Sequence, residues 1–286
     1  MTVYDFLEHF SCPDCGSDVM KHESDLLCIE CNRCFKVYNG ICVDFIPKNK
    51  TVRKCETDLE ERAFKVYGKL FDETFAWKEN PKPWGLEVPQ YYLKKLKKHK
   101  YQIGKLIPQK VTKCVDISTG SGRFSWDLAE KSDMCVFCDI SVDSVVYLTK
   151  RALAEKKSNV IIVRADYASP PFKTEVFDLC LCQDTLIYGY SHETNLLQTL
   201  HKITQKNGCA IIDFSNKYHH GFWHKPYTCG YSRKQMNNSL KNSGFQIEEC
   251  IPLYYELSND LDEVNIMSKI AKLVLPPTRY IYKIVK

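Results

Sequence analysis

The sequence predicts an α/β protein, with a mostly parallel sheet covered by helices on both faces and a small zinc ribbon ahead of it. Strands and helices alternate from Val111 onward, and two Cys-x-x-Cys pairs lie near the N-terminus. The chain has 286 residues, 44% of them hydrophobic and 26% charged, so it can bury a full core in about two domains. Its formal charge of +5 is small, and any nucleic-acid-binding face therefore has to be local.

Two cysteine pairs at the N-terminus have the spacing of a metal site. Cys12 and Cys15 are followed, after twelve intervening residues, by Cys28 and Cys31. Two cysteines three positions apart on a tight turn can direct both sulfurs at one ion. The four thiols are therefore predicted to bind one structural zinc ion.

The second pair leaves an alternative choice of ligands. Cys31 and Cys34 have the same spacing, but Cys28 with Cys31 is favoured because Asn32 tolerates the left-handed conformation that follows such a turn.

The stretch 35–45 alternates apolar residues about an Asn-Gly pair, which predicts a β-hairpin. Because roughly 45 residues bury little surface, metal binding is expected to supply the folding free energy of this module.

The chain divides into three predicted regions: a zinc-ribbon module at 1–46, a linker and cap helix at 47–85, and the main domain at 86–286. Apolar residues at helical spacing in 57–78 are expected to pack on the main domain, with a lid over the substrate pocket as the alternative. Protein contact through the zinc ribbon is a further expectation.

One stretch of the chain is strongly basic. Eight lysines and no acid lie between Glu87 and Asp116, and the densest part is Lys94–Lys100. The interleaved apolar residues predict an amphipathic helix whose lysines face solvent. Contact of this patch with RNA is the alternative interpretation.

The main domain opens with the pattern of a nucleotide-binding unit. A strand at 114–118 leads into the small-residue loop 119–122 and a helix at 123–131, so that a ligand can approach backbone N–H groups at a helix start. A second strand, 134–138, ends in Asp139 about 20 residues after the loop. An acid at that position accepts hydrogen bonds from ribose hydroxyl groups.

Residues after the next strands complete the predicted nucleoside site. Asp166 follows the strand at 160–164 and is placed to accept a hydrogen bond from an adenine amino group. Ile140 and Tyr167 are placed to flank the ring. Gln183, directly after the fourth strand, is also predicted to bind the cofactor.

Asp116 helps to choose between two possible classes of nucleotide ligand. A dinucleotide would bring a charged pyrophosphate near its carboxylate, which is repulsive, and Ser125 occupies the third glycine position of the dinucleotide motif. A ligand with an ammonium and a sulfonium charge suits Asp116 better. S-adenosylmethionine has both.

The motifs resemble, in order and spacing, those of class I S-adenosylmethionine-dependent methyltransferases. The resemblance covers about Val111 to Gln246 and rests on 116–122, 139–141, 164–166, 171–172 and 177–179. It implies a Rossmann-like sheet, binding of S-adenosylmethionine and methyl transfer. The cofactor-binding residues it implies are Asp116, Ser118, Gly120, Gly122, Asp139, Ile140, Asp166, Tyr167 and Gln183.

Two further likenesses concern details of the chain. Ser118 stands at the first glycine of the family's D-x-G-x-G-x-G motif, a small residue that is expected to permit close approach of the cofactor but to weaken its binding. A zinc ribbon ahead of this fold is similar to a group of bacterial and plastid methyltransferases and, more distantly, to ribosomal RNA guanine methyltransferases. The ribbon also resembles the zinc-binding activator subunit of tRNA and protein methyltransferases.

The methyl acceptor is expected to be a small or lipophilic molecule. The alternatives are an RNA base and a catalytically silent scaffold that binds a partner through its ribbon. A general base is optional because the methyl group is already activated, and the histidine-aromatic stretch 219–224 is expected to form an apolar pocket floor. The candidates for a base are Asp184, Tyr188, His192, His219, His220 and His224.

No apolar run is long enough to span a bilayer, and the N-terminal residues do not have the pattern of a secretory signal. A cytoplasmic location is therefore expected, and the closely paired cysteines agree with a reducing compartment. The stretch 264–274 is expected to pack on the sheet rather than on a membrane surface.

Overall fold

The computed structural model describes residues 1–46, 90–186, 193–219, 230–255 and 275–286, without the side chains of 90–93 and Asp143. Several predictions lie outside the described residues: those for the connector 47–85, for the stretch 264–274, and for Tyr188, His192, His220 and His224.

Within these ranges the chain forms twelve strands, one 3-10 helix and five α-helices. The strands are β1 (Val19–His22), β2 (Asp25–Cys28), β3 (Cys34–Phe35), β4 (Val37–Tyr38), β5 (Cys42–Asp44), β6 (Val111–Ile117), β7 (Ser132–Asp139), β8 (Val160–Arg164), β9 (Phe177–Cys182), β10 (Thr204–Ser215), β11 (Gln246–Leu253) and β12 (Arg279–Val285). The helices are the 3-10 helix Val3–His9, α1 (Gln90–Leu106), α2 (Ser125–Ala129), α3 (Val142–Ala154), α4 (Glu193–Ile203) and α5 (Arg233–Asn242). None of the described helices is long and apolar enough to cross a membrane.

Nine of the described strands form one sheet in the order β11-β12-β10-β9-β6-β7-β8-β5-β4. The six strands from β10 to β5 run parallel, whereas β12 is antiparallel and lies between β10 and β11. The central parallel strands are almost entirely buried and apolar, as expected for a sheet covered on both faces. Their carboxyl ends meet along one edge, which is where open α/β sheets bind ligands.

Helix boundaries follow local capping chemistry. Ser232 caps α5 in a reciprocal arrangement with Gln235, and Ser141 accepts a hydrogen bond from Ser144 N–H at the start of α3. The helix predicted at 123–131 is shorter, Ser125–Ala129, because the residues before it form a turn with left-handed glycines.

The N-terminal module joins the main sheet instead of standing apart. The predicted hairpin is present as β4 and β5, and β5 pairs in parallel with β8. Phe6 stacks on Phe177, and Phe10 on Phe172, with ring centroids 6.0 Å apart in both pairs. The module was expected to bury little surface, but its aromatic residues share one core cluster with the main domain.

Candidate functional site

The loop after β6 is fastened to the end of β7. Gly120 N–H donates to Asp139 Oδ2 at 2.7 Å, and Thr119 N–H donates to the carbonyl of Cys138 at 3.1 Å. The other oxygen of Asp139 accepts from Ser141 N–H at 2.9 Å. Each carboxylate oxygen has more than one acceptor position, so both can accept a further hydrogen bond.

Three residues of this loop have left-handed backbone conformations: Ser118 (φ 61°), Gly120 (φ 58°) and Gly122 (φ 76°). Ser118 therefore adopts a conformation that favours glycine, at the position where the sequence departs from the family motif. A Cβ atom on Gly122 would lie 2.5 Å from Trp126 Nε1 and 2.9 Å from Leu148 Cδ2. Only glycine fits there without rearrangement.

Asp116 lies under the loop, in β6, and is 2% exposed. Its Oδ2 accepts a hydrogen bond from Ser125 Oγ at 2.5 Å, and Ser125 Oγ is also hydrogen-bonded to Thr119 Oγ1. Burial raises the pKa of Asp116 to about 7, although the serine and threonine hydroxyls oppose this shift. A cation beside Asp116 would favour its ionised form.

The end of β8 carries the next group of predicted residues. Ala165 N–H donates to the carbonyl of Asp139 at 3.0 Å, which holds this end beside that of β7. Asp166 is buried, and its Oδ1 accepts from Ala168 N–H at 2.8 Å. Ile140 and Tyr167 are partly exposed on the two segments.

Gln183 lies between β9 and β10, farther along the same edge. Its Nε2 donates to the carbonyl of Ile211 at 2.9 Å, and the side chain is buried. Its Oε1 is buried without a hydrogen-bond partner among the described residues.

Asp184, a predicted base candidate, is held between two guanidinium groups. Arg123 Nη2 lies 2.8 Å from its Oδ2, and Arg279 forms an ion pair with its Oδ1. Burial opposes ionisation, but Arg279 and Arg123 overcome it and lower the pKa of Asp184 well below its usual value. A carboxylate engaged in this way is a poor proton acceptor.

The network continues into the sheet and reaches α1. Arg279 Nη2 lies 2.6 Å from Asp213 Oδ2, and His99 Nε2 lies 3.4 Å from the same oxygen. Tyr255 Oη is 3.1 Å from His99 Nδ1. Burial lowers the pKa of His99 to about 3, so the imidazole is neutral.

His219, another base candidate, is buried in the turn after β10.

The sequence interpretation did not identify His99, Asp213, Arg279 or Arg123 as parts of one network. His99 carries a signal, because it lies on the apolar stripe of α1 and is 3% exposed. Asp213 carries another, because it is an acid that interrupts the apolar run 209–214 of β10.

The four predicted thiols of the N-terminal module come together. All their sulfur atoms lie within 4.8 Å of one another. Cys12 Sγ is 3.7 Å from Cys31 Sγ, and Cys15 Sγ is 3.4 Å from Cys28 Sγ. Cys34 lies outside this cluster, with its Sγ 3.6 Å from Asp25 Oδ2.

The two cysteine turns have matching backbone geometry. Gly16 N–H donates to the carbonyl of Cys12 at 2.8 Å, and Asn32 N–H donates to that of Cys28 at 3.2 Å. Gly16 (φ 78°) and Asn32 (φ 54°) both have the left-handed conformation expected after such a turn.

The lysines of α1 are largely engaged within the molecule. Lys98 Nζ donates to the carbonyl of Tyr254, and Lys100 Nζ lies 2.9 Å from Asp127 Oδ2. Lys95 Nζ lies 5.3 Å from the ring centroid of Tyr255. Lys94 and Lys97 are exposed.

Comparison with known proteins identifies a family for the central segment. Residues 114–208 match a family model described as a methyltransferase domain. The comparison with curated proteins finds no significant match.

Solved structures with a similar fold include the N-methyltransferase NodS from Bradyrhizobium japonicum WM9 in complex with S-adenosyl-L-homocysteine, at 12% identity, 80% coverage of this chain, 98% of that chain and a TM-score of 0.54. A possible histamine N-methyltransferase from Thermotoga maritima matches at 14% identity, 78% coverage of this chain, 100% of that chain and a TM-score of 0.54. The [4+2]-cyclase SpnF matches at 14% identity, 66% coverage of this chain, 79% of that chain and a TM-score of 0.53.

At these identities the structural matches show the fold alone, and the cyclase shows that one fold serves more than one reaction. The family match therefore carries the assignment of this segment. It spans the glycine loop and the acids that end β7 and β8, which are the motifs of the predicted family. Residues 114–208 of this chain therefore form a methyltransferase domain by their match to the family model.

Proposed function

We propose that this protein is a class I S-adenosylmethionine-dependent methyltransferase that binds its cofactor along the carboxyl ends of β6, β7 and β8 and methylates a small or lipophilic acceptor. The observation that carries the proposal is the convergence of three buried acids, Asp116, Asp139 and Asp166, around the left-handed loop after β6. An edge of this kind suits a nucleoside joined to a cationic amino-acid tail.

The described residues fit each part of such a ligand. Asp139 would accept hydrogen bonds from the ribose hydroxyls, because its oxygens keep unused acceptor positions. Asp166 would accept from the adenine amino group, with Ile140 and Tyr167 flanking the ring. Asp116 would face the ammonium group of the tail.

The other predicted cofactor residues have narrower roles. Gly120 and Gly122 allow the ligand to approach the loop backbone closely, and Ser118 performs the same task at a conformational cost. The buried Oε1 of Gln183 is an acceptor that a ligand donor would satisfy.

The protein contributes mainly by positioning. Bound S-adenosylmethionine supplies a methyl group that its sulfonium charge activates for displacement. Holding the acceptor in line with that group can lower the barrier by about 7 to 11 kcal/mol in favourable cases. Asp184 is not suited to act as a base, because its ion pairs with Arg123 and Arg279 lower its pKa and so its affinity for a proton.

The contacts of α1 favour a small acceptor over RNA. Lys95, Lys98 and Lys100 each contact a group of the same molecule, which reduces the charge the helix can offer to phosphates. The possible histamine N-methyltransferase of similar fold is named for a small acceptor, histamine. An RNA acceptor would instead show salt-sensitive binding that is lost when Lys94 and Lys97 are replaced.

The N-terminal thiols fit one zinc ion. Four sulfurs at about 2.3 Å from a tetrahedral ion lie about 3.8 Å apart, close to the spacing of the described pairs. The proposed ligands are Cys12, Cys15, Cys28 and Cys31, and the ion would join the two cysteine turns.

The test is calorimetric titration with S-adenosylhomocysteine. The wild-type protein is expected to bind one equivalent, and Asp139→Asn to weaken binding about tenfold or more, because a hydrogen bond to a charged group contributes about 1.5 to 3 kcal/mol. Asp133→Asn is the matched control, since Asp133 is exposed near the opposite end of β7. Failure of the wild-type protein to bind at millimolar ligand would contradict the proposal.

The acceptor can then be identified directly. Cell extracts incubated with the protein and isotopically labelled methyl donor are analysed by mass spectrometry. Label in a small molecule supports the proposed acceptor class, and label in RNA contradicts it.

A further inference from the structure

The zinc-ribbon module contacts the proposed nucleoside site through one row of residues that are paired side by side on adjacent strands of the sheet. In that row Asp44 of β5 pairs with Arg164 of β8, and Arg164 pairs with Asp139 of β7. The central residue is thus a cation between an acid of the ribbon and the proposed ribose-binding acid.

The contacts of Arg164 define what it does in this row. Its Nη1 lies 2.8 Å from Asp44 Oδ2, and its Nε donates to the carbonyl of Ile140 at 3.2 Å. Phe45 N–H donates to the carbonyl of Arg164 at 2.8 Å, which fixes the backbone as well. One guanidinium therefore joins the ribbon to the segment that follows Asp139.

Asp44 is itself well held. Its N–H donates to the carbonyl of Lys36 at 3.0 Å, and its Oδ1 accepts from Ile46 N–H at 3.0 Å. The side chains of Asp44 and Arg164 are 28% and 19% exposed, so solvent screens the pair only in part.

We propose that Asp44 and Arg164 are positioning residues for the adenosyl half of the cofactor. By binding the guanidinium, Asp44 keeps Arg164 on the Ile140 carbonyl and away from the neighbouring Asp139 carboxylate. Without Asp44, the guanidinium competes with ribose hydroxyls for Asp139 and releases the Ile140 segment. The inference rests on the proposed nucleoside site and adds that the ribbon contributes to its affinity.

A second ion pair between the ribbon and the main domain provides the control. Lys173 Nζ lies 2.6 Å from Asp18 Oδ1, and neither residue contacts the proposed site residues through any described hydrogen bond. Asp18→Asn and Asp44→Asn therefore remove the same kind of contact between the same two parts of the molecule. Only Asp44 is joined, through Arg164, to the segment 139–140 of the proposed nucleoside site.

The experiment compares affinities for S-adenosylhomocysteine and 5′-methylthioadenosine in the full-length, zinc-loaded protein. Asp44→Asn is expected to raise both dissociation constants about fivefold or more, within the range of ordinary coupling between sites. Asp18→Asn should change them less than about twofold by the same measure. Asp44→Glu, which keeps the charge, should restore most of the affinity.

Arg164→Lys gives a second, independent test, because lysine cannot contact Asp44 and the Ile140 carbonyl at once. It should weaken both ligands while zinc content and melting temperature stay close to those of Asp18→Asn. Equal affinities for Asp44→Asn and wild type, or equal losses for Asp44→Asn and Asp18→Asn, would overturn the inference. Failure of the wild-type protein to bind would instead overturn the proposed function.

Discussion

At the scale of single residues, Asp116 has the most unusual environment of the proposed cofactor site. It is almost completely buried, and in the described structure its closest polar partners are the hydroxyls of Ser125 and Thr119. Burial raises its pKa from 3.8 to about 7, so the carboxyl is partly protonated at neutral pH when no cation is near. Asp116 therefore favours folding fully below pH 3.8, and this contribution is lost as the pH rises through about 7.

Ligand binding should have the opposite pH dependence. The ammonium group of the ligand stays protonated below about pH 7.7, and it pairs only with the ionised carboxyl, so binding releases a proton from Asp116. The dissociation constant for S-adenosylhomocysteine is expected to fall by up to about tenfold per pH unit from pH 5 to 7. Calorimetry across this range measures the slope.

Asp116→Asn should flatten that slope, and Asp133→Asn should retain it. Burial also raises the pKa of Asp139, so any slope left in Asp116→Asn is assigned to Asp139. A full slope in Asp116→Asn would show that the ammonium group does not face this residue.

At the scale of elements, strands with strong patterns and the short N-terminal hairpin were predictable, whereas the pairing of that hairpin with a distant strand was not. The buried run of β8 matches its predicted range, and Asp139 ends β7 as expected. The pairing of β5 with β8 was missed, because a three-residue strand has no periodicity that identifies its partner. The network of His99, Asp213 and Arg279 was missed for a related reason: its members are far apart in sequence, and only the fold brings them together.

The cysteine turns allow a sharp test at the same scale. Cys28→Ser is expected to abolish zinc binding and to lower the melting temperature, because the proposed ion would join the two turns. Cys34→Ser should keep about one zinc per chain, since its sulfur lies beside Asp25 and outside the four-thiol cluster. Metal analysis by mass spectrometry measures both. Zinc loss in Cys34→Ser with retention in Cys28→Ser would reverse the choice of ligands.

At the scale of the whole molecule, the ribbon and the main domain share their stabilising contacts. Phe10 packs against Phe172 of the main domain and Phe45 of the ribbon, with centroids 6.0 Å and 4.9 Å apart. The sheet passes from β8 into β5 without a break. Loss of one part therefore exposes apolar surface of the other, and the two should unfold together.

Phe10→Ala tests this cooperativity. Truncating a fully buried phenylalanine costs about 3 to 5 kcal/mol of unfolding free energy, and Phe10 is 0% exposed. In urea, zinc release to a chromogenic chelator and loss of circular dichroism should share one midpoint in the wild-type protein and shift together in Phe10→Ala. Met20→Ala, at a position 47% exposed in β1, should move neither. If Phe10→Ala lowered the midpoint of zinc release alone, the ribbon would be an independent folding unit and the shared core would not couple the two parts.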